Sequence, residues 1–189
     1  MKKFISALIF LSVSLSAFAS ENTLSQQATA FYSDNNYNET MNLILQINED
    51  ERSAQDWLIL GNVLADKGEM ENAVFMYQKA ISKDPKFYRA YYNLANYYYE
   101  KGQFNMAVNN YKKAIKLKQD NPYLYYNLGC AYIKLNDLKK ARVNFNKAIM
   151  YKSNVPEFHY NLAYVYKELK KDKLAEIYLK NYNNLTNSY

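Results

Sequence analysis

The amino-acid sequence predicts an all-α solenoid, in which antiparallel helix pairs stack one on the next. Residue types recur at an offset of 34 in four segments, and the apolar residues within each segment follow the helical spacing of three and four. Turn-forming residues recur only between these helical stretches. Because one such repeat cannot bury its apolar face alone, neighbouring repeats are expected to share a core. The recurring columns are Trp57, Tyr91, Tyr125 and His159; Leu60, Leu94, Leu128 and Leu162; Gly61, Ala95, Gly129 and Ala163; and Ala73, Ala107, Ala141 and Ala175.

The connections inside the repeats carry residues that end a helix. Gly68 and Gly102 occupy the same place, and glycine permits the positive φ of a tight helix-ending turn. Asn136 takes this place in the third repeat, and asparagine is the next best residue for it. The fourth repeat has Lys170 there, so its turn is expected to be the most strained or differently shaped.

Helix starts are marked by capping residues at the beginning of the repeats. Asp56 follows a serine at the spacing of a capping box, and Pro122 opens a helix directly after an asparagine. The expected caps are Ser53, Asn121 and Asn154.

These residues resemble the tetratricopeptide repeat family. Its pattern of an aromatic, Leu-Gly and a second aromatic is found in Tyr125-x-x-Leu128-Gly129-x-x-Tyr132, and Trp57 opens a similar stretch. The resemblance covers four repeats, residues 54–87, 88–121, 122–155 and 156–189, after a degenerate N-terminal repeat or cap at residues 20–53. It implies a right-handed superhelix whose concave surface is lined by the first helix of each pair.

The first 19 residues are typical of a secretory signal peptide. Lys2 and Lys3 precede an apolar stretch from Phe4 to about Leu15, and the small-x-small site Ala17-Phe18-Ala19 follows. A retained membrane anchor would need a longer and less interrupted apolar run, and no cysteine follows to accept a lipid. We therefore expect a periplasmic or secreted protein with no integral membrane segment after cleavage.

Charge is distributed unevenly along the chain. Residues 20–87 contain 11 acidic and 5 basic residues, whereas residues 88–189 contain 7 acidic and 17 basic residues. An acidic partner or an anionic surface could be attracted to the second half, although scattered lysines also suit a solvated helix face. A dense basic stripe is lacking, so nucleic acid is not an expected partner.

An enzyme is not indicated. The chain has one histidine, His159, one cysteine, Cys130, and four glycines. We therefore expect no Ser-His-Asp, Cys-His or His/Cys zinc arrangement and no phosphate-binding glycine loop. His159 lies in an aromatic core column, and Cys130 is expected to be a small core filler, although an unpaired thiol could join a partner. No catalytic residue, metal or cofactor is predicted.

The predicted binding surface is the first-helix face that remains after the core columns are removed. Asparagine amides both donate and accept, so they can pair with the backbone of an extended peptide, and tyrosine adds flat contact area. We therefore expect a groove for an extended segment of a protein partner. Its predicted residues are Asn62, Arg89, Tyr92, Asn93, Asn96, Tyr99, Tyr123, Tyr126, Asn127, Tyr160, Asn161 and Tyr164.

The family's clamp for a C-terminal carboxylate is not expected here. Asn62 and Asn93 match its asparagines, but its basic positions are occupied by Leu58, Tyr123 and Asn127. The leading interpretation is an exported adaptor or scaffold for an envelope or secreted protein.

Two other functions remain open. One is a self-assembling or surface-docking module, because the C-terminal helix carries apolar residues where no further repeat follows, and a homo-oligomer would form through that end. These residues are Ile177, Tyr178, Tyr182 and Leu185. The other is a cell-wall glycan-binding module, since tyrosine and asparagine also suit sugars.

Overall fold

A computed structural model describes residues 24–187, and this part of the chain is all-α. It contains helices and one short 3₁₀ segment, with no strand among the described residues. The predicted fold class is confirmed. The signal-peptide prediction lies outside the described residues. The chain divides into two compact units, unit 1 up to Pro85 and unit 2 from Lys86.

Unit 1 holds two helix pairs. A helix over residues 24–33, α1, is followed by a second helix, a 3₁₀ segment and a further pair. These elements are α2 (Tyr37–Gln46), the 3₁₀ segment Glu49–Glu51, α3 (Ala54–Asp66) and α4 (Met70–Lys83).

Unit 2 holds three helix pairs, and each pair corresponds to one 34-residue repeat of the sequence. The first helix of each pair has 13 residues. Helix α6 packs on α7 and α8 packs on α9, so the pairs stack. The helices are α5 (Tyr88–Glu100), α6 (Phe104–Leu117), α7 (Pro122–Lys134), α8 (Leu138–Tyr151), α9 (Pro156–Glu168) and α10 (Asp172–Thr186). No described helix is long and apolar enough to span a bilayer.

Two of the three expected caps are present. The Ser53 hydroxyl accepts from the Asp56 backbone N–H at 3.2 Å, and the Asp56 carboxylate accepts from the Ser53 N–H at 2.8 Å, which completes a capping box. Asn121 caps α7 through the N–H of Tyr123 at 3.0 Å. The expectation for Asn154 is wrong, because Val155 occupies the cap position and no side chain caps α9.

The helix-ending turns share one backbone shape. Gly68 and Gly102 have φ of 82° and 72°, and Asn136 and Lys170 have 58° and 56°. The N–H of Lys170 donates to the carbonyl of Lys167 at 2.9 Å, as Asn136 does to Ile133. The turn at Lys170 is therefore not differently shaped. It keeps a side chain in a left-handed conformation that costs about 1–2 kcal/mol.

Close helix contact explains the small residues of the core. Ala107, Ala141 and Ala148 are fully buried in unit 2, where larger side chains would separate the helices. A Cβ on Gly129 would lie 2.7 Å from Cε1 of Phe145, a fully buried ring. The glycine of the Leu-Gly pair therefore admits this aromatic side chain from the second helix.

The C-terminal pair is the exception, because α10 has no buried residue. Leu179 shares a repeat column with Tyr111 and Phe145 but is 43% exposed, whereas those two side chains are at most 2% exposed. Among the described residues no further helix packs on α10. This leaves Leu174 and Ile177 exposed as well.

Candidate functional site

Tyrosines and asparagines on the first helices of unit 2 are joined from one repeat to the next. The amide nitrogen of Asn127 on α7 donates to the Tyr92 hydroxyl on α5 at 3.0 Å. In the following pair of repeats, Asn161 on α9 donates to the Tyr126 hydroxyl on α7 at 2.7 Å. These amides, which the sequence suggested as peptide contacts, therefore also hold adjacent repeats together.

A second set of hydrogen bonds joins the two helices of one repeat. The Tyr111 hydroxyl donates to the carbonyl oxygen of Asn96 at 2.7 Å, and in unit 1 Tyr77 donates to Asn62 at 3.1 Å. In the third repeat, Cys130 replaces the asparagine and Phe145 replaces the tyrosine, so both hydrogen-bonding groups are absent together. The two columns are 15 residues apart, and their joint change is a sequence signal that could have revealed the hydrogen bond between them.

A pocket of about 320 Å³ opens beside these bonds in unit 2. It lies between α5 and α7, and a side chain of α6 also lines it. Four of its residues belong to the predicted groove, and Glu100 was not among the predicted residues. The lining residues are Asn96, Tyr99, Glu100, Tyr111, Tyr126, Asn127 and Cys130.

Burial decides the protonation behaviour of this pocket. It raises the pKa of Tyr111 and of Tyr126 well above the usual tyrosine value, so both hydroxyls stay neutral. Burial also raises the pKa of Cys130 to about 11, which leaves its thiol a weak nucleophile at neutral pH. The two hydroxyls and the thiol thus stay protonated at neutral pH. No cluster of three metal-ligating side chains occurs among residues 24–187.

Glu100 supplies the only charge among the pocket's lining residues. Its side chain is exposed at the end of α5, and within residues 24–187 it forms no ion pair. Its negative charge contributes to the raised pKa of Tyr111. The pocket therefore combines tyrosine rings, amide groups and one carboxylate.

The remaining predicted residues are distributed around this pocket. Tyr160 and Tyr164, which are 53% and 43% exposed, line a second pocket of about 490 Å³ between α9 and α10. Tyr123 is exposed and its hydroxyl accepts from Lys152 at 3.1 Å. Arg89 is exposed on α5.

The other predicted residues of the first helices in unit 2 are partly buried. Asn93 and Tyr92 on α5 are both of this kind. Asn161 on α9 is also partly buried, and its amide nitrogen donates to the Tyr126 hydroxyl. Asn62 belongs to unit 1, where its carbonyl oxygen accepts from Tyr77. The pocket thus gathers only Asn96, Tyr99, Tyr126 and Asn127 of the predicted set.

Several lysines of unit 2 lie over aromatic rings. The ammonium groups of Lys113 and Lys147 lie 5.5 and 5.3 Å from the ring centroids of Tyr91 and Tyr125. This arrangement is stabilised by about 0.5–1 kcal/mol at an exposed site. Part of the positive charge of the second half therefore supports aromatic side chains of the first helices.

His159 replaces a core tyrosine in structure as well as in sequence. Its Nε2 lies 2.7 Å from the carbonyl oxygen of Ser153, and the Tyr125 hydroxyl makes the corresponding bond to Gln119 at 2.9 Å. The histidine is 5% exposed, and its Nδ1 has no hydrogen-bond partner among the described residues. It lies in the core and does not line either pocket.

Solved structures with a similar fold are numerous. The structure titled "MamA RS-1 ArsTM double mutant" has a TM-score of 0.78 at 18% identity, with 89% of this chain and 95% of that chain covered. "Functional Characterization of Pseudomonas Aeruginosa pilF" has a TM-score of 0.78 at 19% identity, covering 89% of this chain and 78% of that chain. At such identities the likeness shows the fold alone. No curated protein sequence matches the chain.

Family models account for most of the repeat region. A model described as "TPR repeat" matches residues 61–102, 95–136 and 129–170, and a "Tetratricopeptide repeat" model matches residues 156–188. The first model alone spans more than half of the chain. With its stacked helix pairs and no strand among residues 24–187, the chain belongs to the tetratricopeptide repeat family.

Proposed function

We propose that this protein is a non-enzymatic adaptor, which holds an extended segment of an envelope or secreted protein against the first helices of unit 2. The single observation that carries the proposal is the pocket between α5 and α7, where Tyr99, Tyr126 and Asn127 meet. A tetratricopeptide repeat protein is a scaffold for protein partners, and this pocket gives the scaffold a place to hold one side chain.

Several exposed side chains extend this surface beyond the pocket. Tyr123 precedes the pocket residue Tyr126 by one turn of α7. Tyr160 on α9 occupies the same repeat position as Tyr126. Tyrosines provide large contact areas at a low cost in side-chain entropy. An extended strand rises about 3.3 Å per residue, so a segment of several residues would contact successive helices.

Export is part of the same proposal. The Lys2–Lys3 start, the apolar stretch and the Ala17-Phe18-Ala19 site support a periplasmic or secreted location. N-terminal sequencing of the protein from fractionated cells tests it. A mature chain that starts at about Ser20 is expected, whereas a cytoplasmic protein with an intact N-terminus would contradict export.

Site-specific photo-crosslinking tests the binding surface. A benzophenone amino acid replaces Tyr99 or Tyr160 on the first helices, and Met150, which is 69% exposed on α8, serves as the matched control. We expect the same protein to be crosslinked from an envelope extract at both first-helix positions and not at the control. Equal crosslinking at all three positions, or none, would contradict the proposed surface.

Self-association is a second candidate, which the exposed end of unit 2 favours. Leu174, Ile177 and Leu179 of α10 are 37%, 53% and 43% exposed. Exposed apolar side chains of this kind can form part of a protein interface. Light scattering of the wild type beside Ile177→Glu tests this: an oligomer that the substitution dissociates supports it, and a strict monomer rules it out.

A further inference from the structure

We propose that the pocket between α5 and α7 binds a cationic side chain, lysine or arginine, of the segment that the adaptor holds. The inference rests on the proposed function and names the chemistry of its central contact. Three properties of the pocket support it: its unused hydrogen-bonding groups, its single charge and its aromatic walls.

Two hydrogen-bond donors of the pocket, on Asn127 and Tyr111, are used within the protein. The amide nitrogen of Asn127 donates to Tyr92 at 3.0 Å and, at 3.5 Å, to the carbonyl oxygen of Asn96. The Tyr111 hydroxyl also donates to Asn96. The carbonyl oxygen of Asn127 receives no hydrogen bond from the described residues, and a carbonyl oxygen can only accept. A ligand group that donates a hydrogen bond can bind this carbonyl oxygen.

Ammonium and guanidinium groups are such ligands, because they carry several donors and no acceptor. Glu100 adds a carboxylate at the pocket with no ion pair among residues 24–187. Tyr99 and Tyr126 also line the pocket, and the face of a tyrosine ring attracts a cation. Charge, hydrogen bonding and aromatic contact thus favour the same class of side chain.

The nearest positive group on α7 is Lys134, which follows Cys130 by one turn, is exposed and does not line the pocket. Burial raises the pKa of Cys130, and the positive charge of Lys134 offsets part of this effect. Glu100 differs from Lys134 because it lines the pocket itself, where its charge acts on Tyr111.

The repeat supplies a matched control for Glu100. The same column holds Asp66, Glu100, Lys134 and Glu168, at offsets of 34. Glu168→Gln removes an exposed carboxylate from the end of α9, a position that lines neither described pocket. Both glutamates are exposed, so neither substitution should disturb folding.

Cys130 provides a built-in reporter, because the only cysteine of the chain lines the pocket. The purified protein is equilibrated with one of three small disulfides and the corresponding thiol: cystamine, which adds an ammonium group, 2-hydroxyethyl disulfide, which adds a neutral group, and dithiodiglycolate, which adds a carboxylate. Mass spectrometry measures the fraction of mixed disulfide. Equilibrium is measured because the raised pKa of the thiol, about 11, makes exchange slow.

The same equilibria measured on the unfolded protein supply the reference for each probe. In the folded wild type we expect cystamine to be favoured over the neutral probe by about fivefold, the ratio for opposite charges about 4 Å apart at a hydrated surface. Glu100→Gln should remove this preference, and Glu168→Gln should keep it. Circular dichroism of each adduct confirms that the protein remains folded.

Several results would overturn the inference: equal fractions for the three probes, a preference for the carboxylate, or a preference for cystamine that survives in Glu100→Gln. Its failure is separable from that of the proposed function. If photo-crosslinking captures one partner at Tyr99 and Tyr160 while cystamine is not favoured, the adaptor proposal stands and the cationic contact is wrong. If cystamine is favoured but no position-dependent partner is captured, the pocket prefers a cationic group and the adaptor proposal is wrong.

Discussion

A double-mutant cycle at Cys130 and Phe145 tests how the two helices of a repeat are paired. In the second repeat, Tyr111 donates to Asn96 at 2.7 Å, and the third repeat has Phe145 and Cys130 in these columns. Phe145→Tyr combined with Cys130→Asn should therefore transfer the hydrogen-bonded pair into the third repeat. The double variant should be more stable than the two single variants imply.

The magnitude follows from burial. Phe145 is fully buried, so its new hydroxyl would face a sulfur that accepts only weakly. An unsatisfied buried hydroxyl costs about 1–3 kcal/mol. Cys130→Asn alone should cost about 1 kcal/mol, because a half-buried amide gains no partner. When both substitutions are present, the new hydrogen bond removes the cost of the unsatisfied hydroxyl. We therefore expect a coupling energy of about 1–2 kcal/mol.

Urea unfolding followed by circular dichroism measures the free energy of unfolding of the four proteins. The control cycle in the second repeat, Asn96→Cys with Tyr111→Phe, should give a coupling of the same sign. If the two substitutions in the third repeat add within about 0.3–0.5 kcal/mol, the pairing of these columns does not transfer and the reasoning is refuted.

Three further predictions concern stability. Gly129→Leu should cost about 1–3 kcal/mol, because its Cβ would lie 2.7 Å from the Phe145 ring, and a wild-type midpoint in urea would contradict this. His159→Tyr should keep or raise the thermal midpoint, since a tyrosine hydroxyl can donate to Ser153 as Tyr125 does to Gln119; a lower midpoint would contradict the equivalence of the two side chains at this position. Lys170→Gly should stabilise by about 1 kcal/mol, because its φ of 56° suits glycine, and calorimetry showing no gain would argue against strain there.

The helix pairs of the repeat region could be derived from sequence because their determinants are local. The spacing of apolar residues, the cap at Ser53 and the positive φ at Gly102 each act within a few residues. The cap predicted at Asn154 was wrong for a local reason too, since α9 begins two residues later at Pro156 and Val155 takes the cap position. At Lys170, the lysine adopts the positive φ that the shared turn requires.

The binding surface was only partly accessible from sequence. Removing the core columns selected the first-helix face, and four of the selected residues line the pocket between α5 and α7. Glu100 was not predicted from the sequence, because an acidic residue at a helix end is typical of a solvated surface. Asn127 was predicted to bind a ligand, whereas its amide nitrogen donates to Tyr92.

Sequence by itself thus determined the period, the helix pairs and the family of this protein, because these depend on residues close together in the chain. Only the tertiary structure decided which polar groups remain available to a ligand. The bonds that decide it, Tyr111 to Asn96 and Asn127 to Tyr92, join residues 15 and 35 positions apart. Whether such groups meet depends on how adjacent helices pack, and the same packing leaves the pocket beside Glu100.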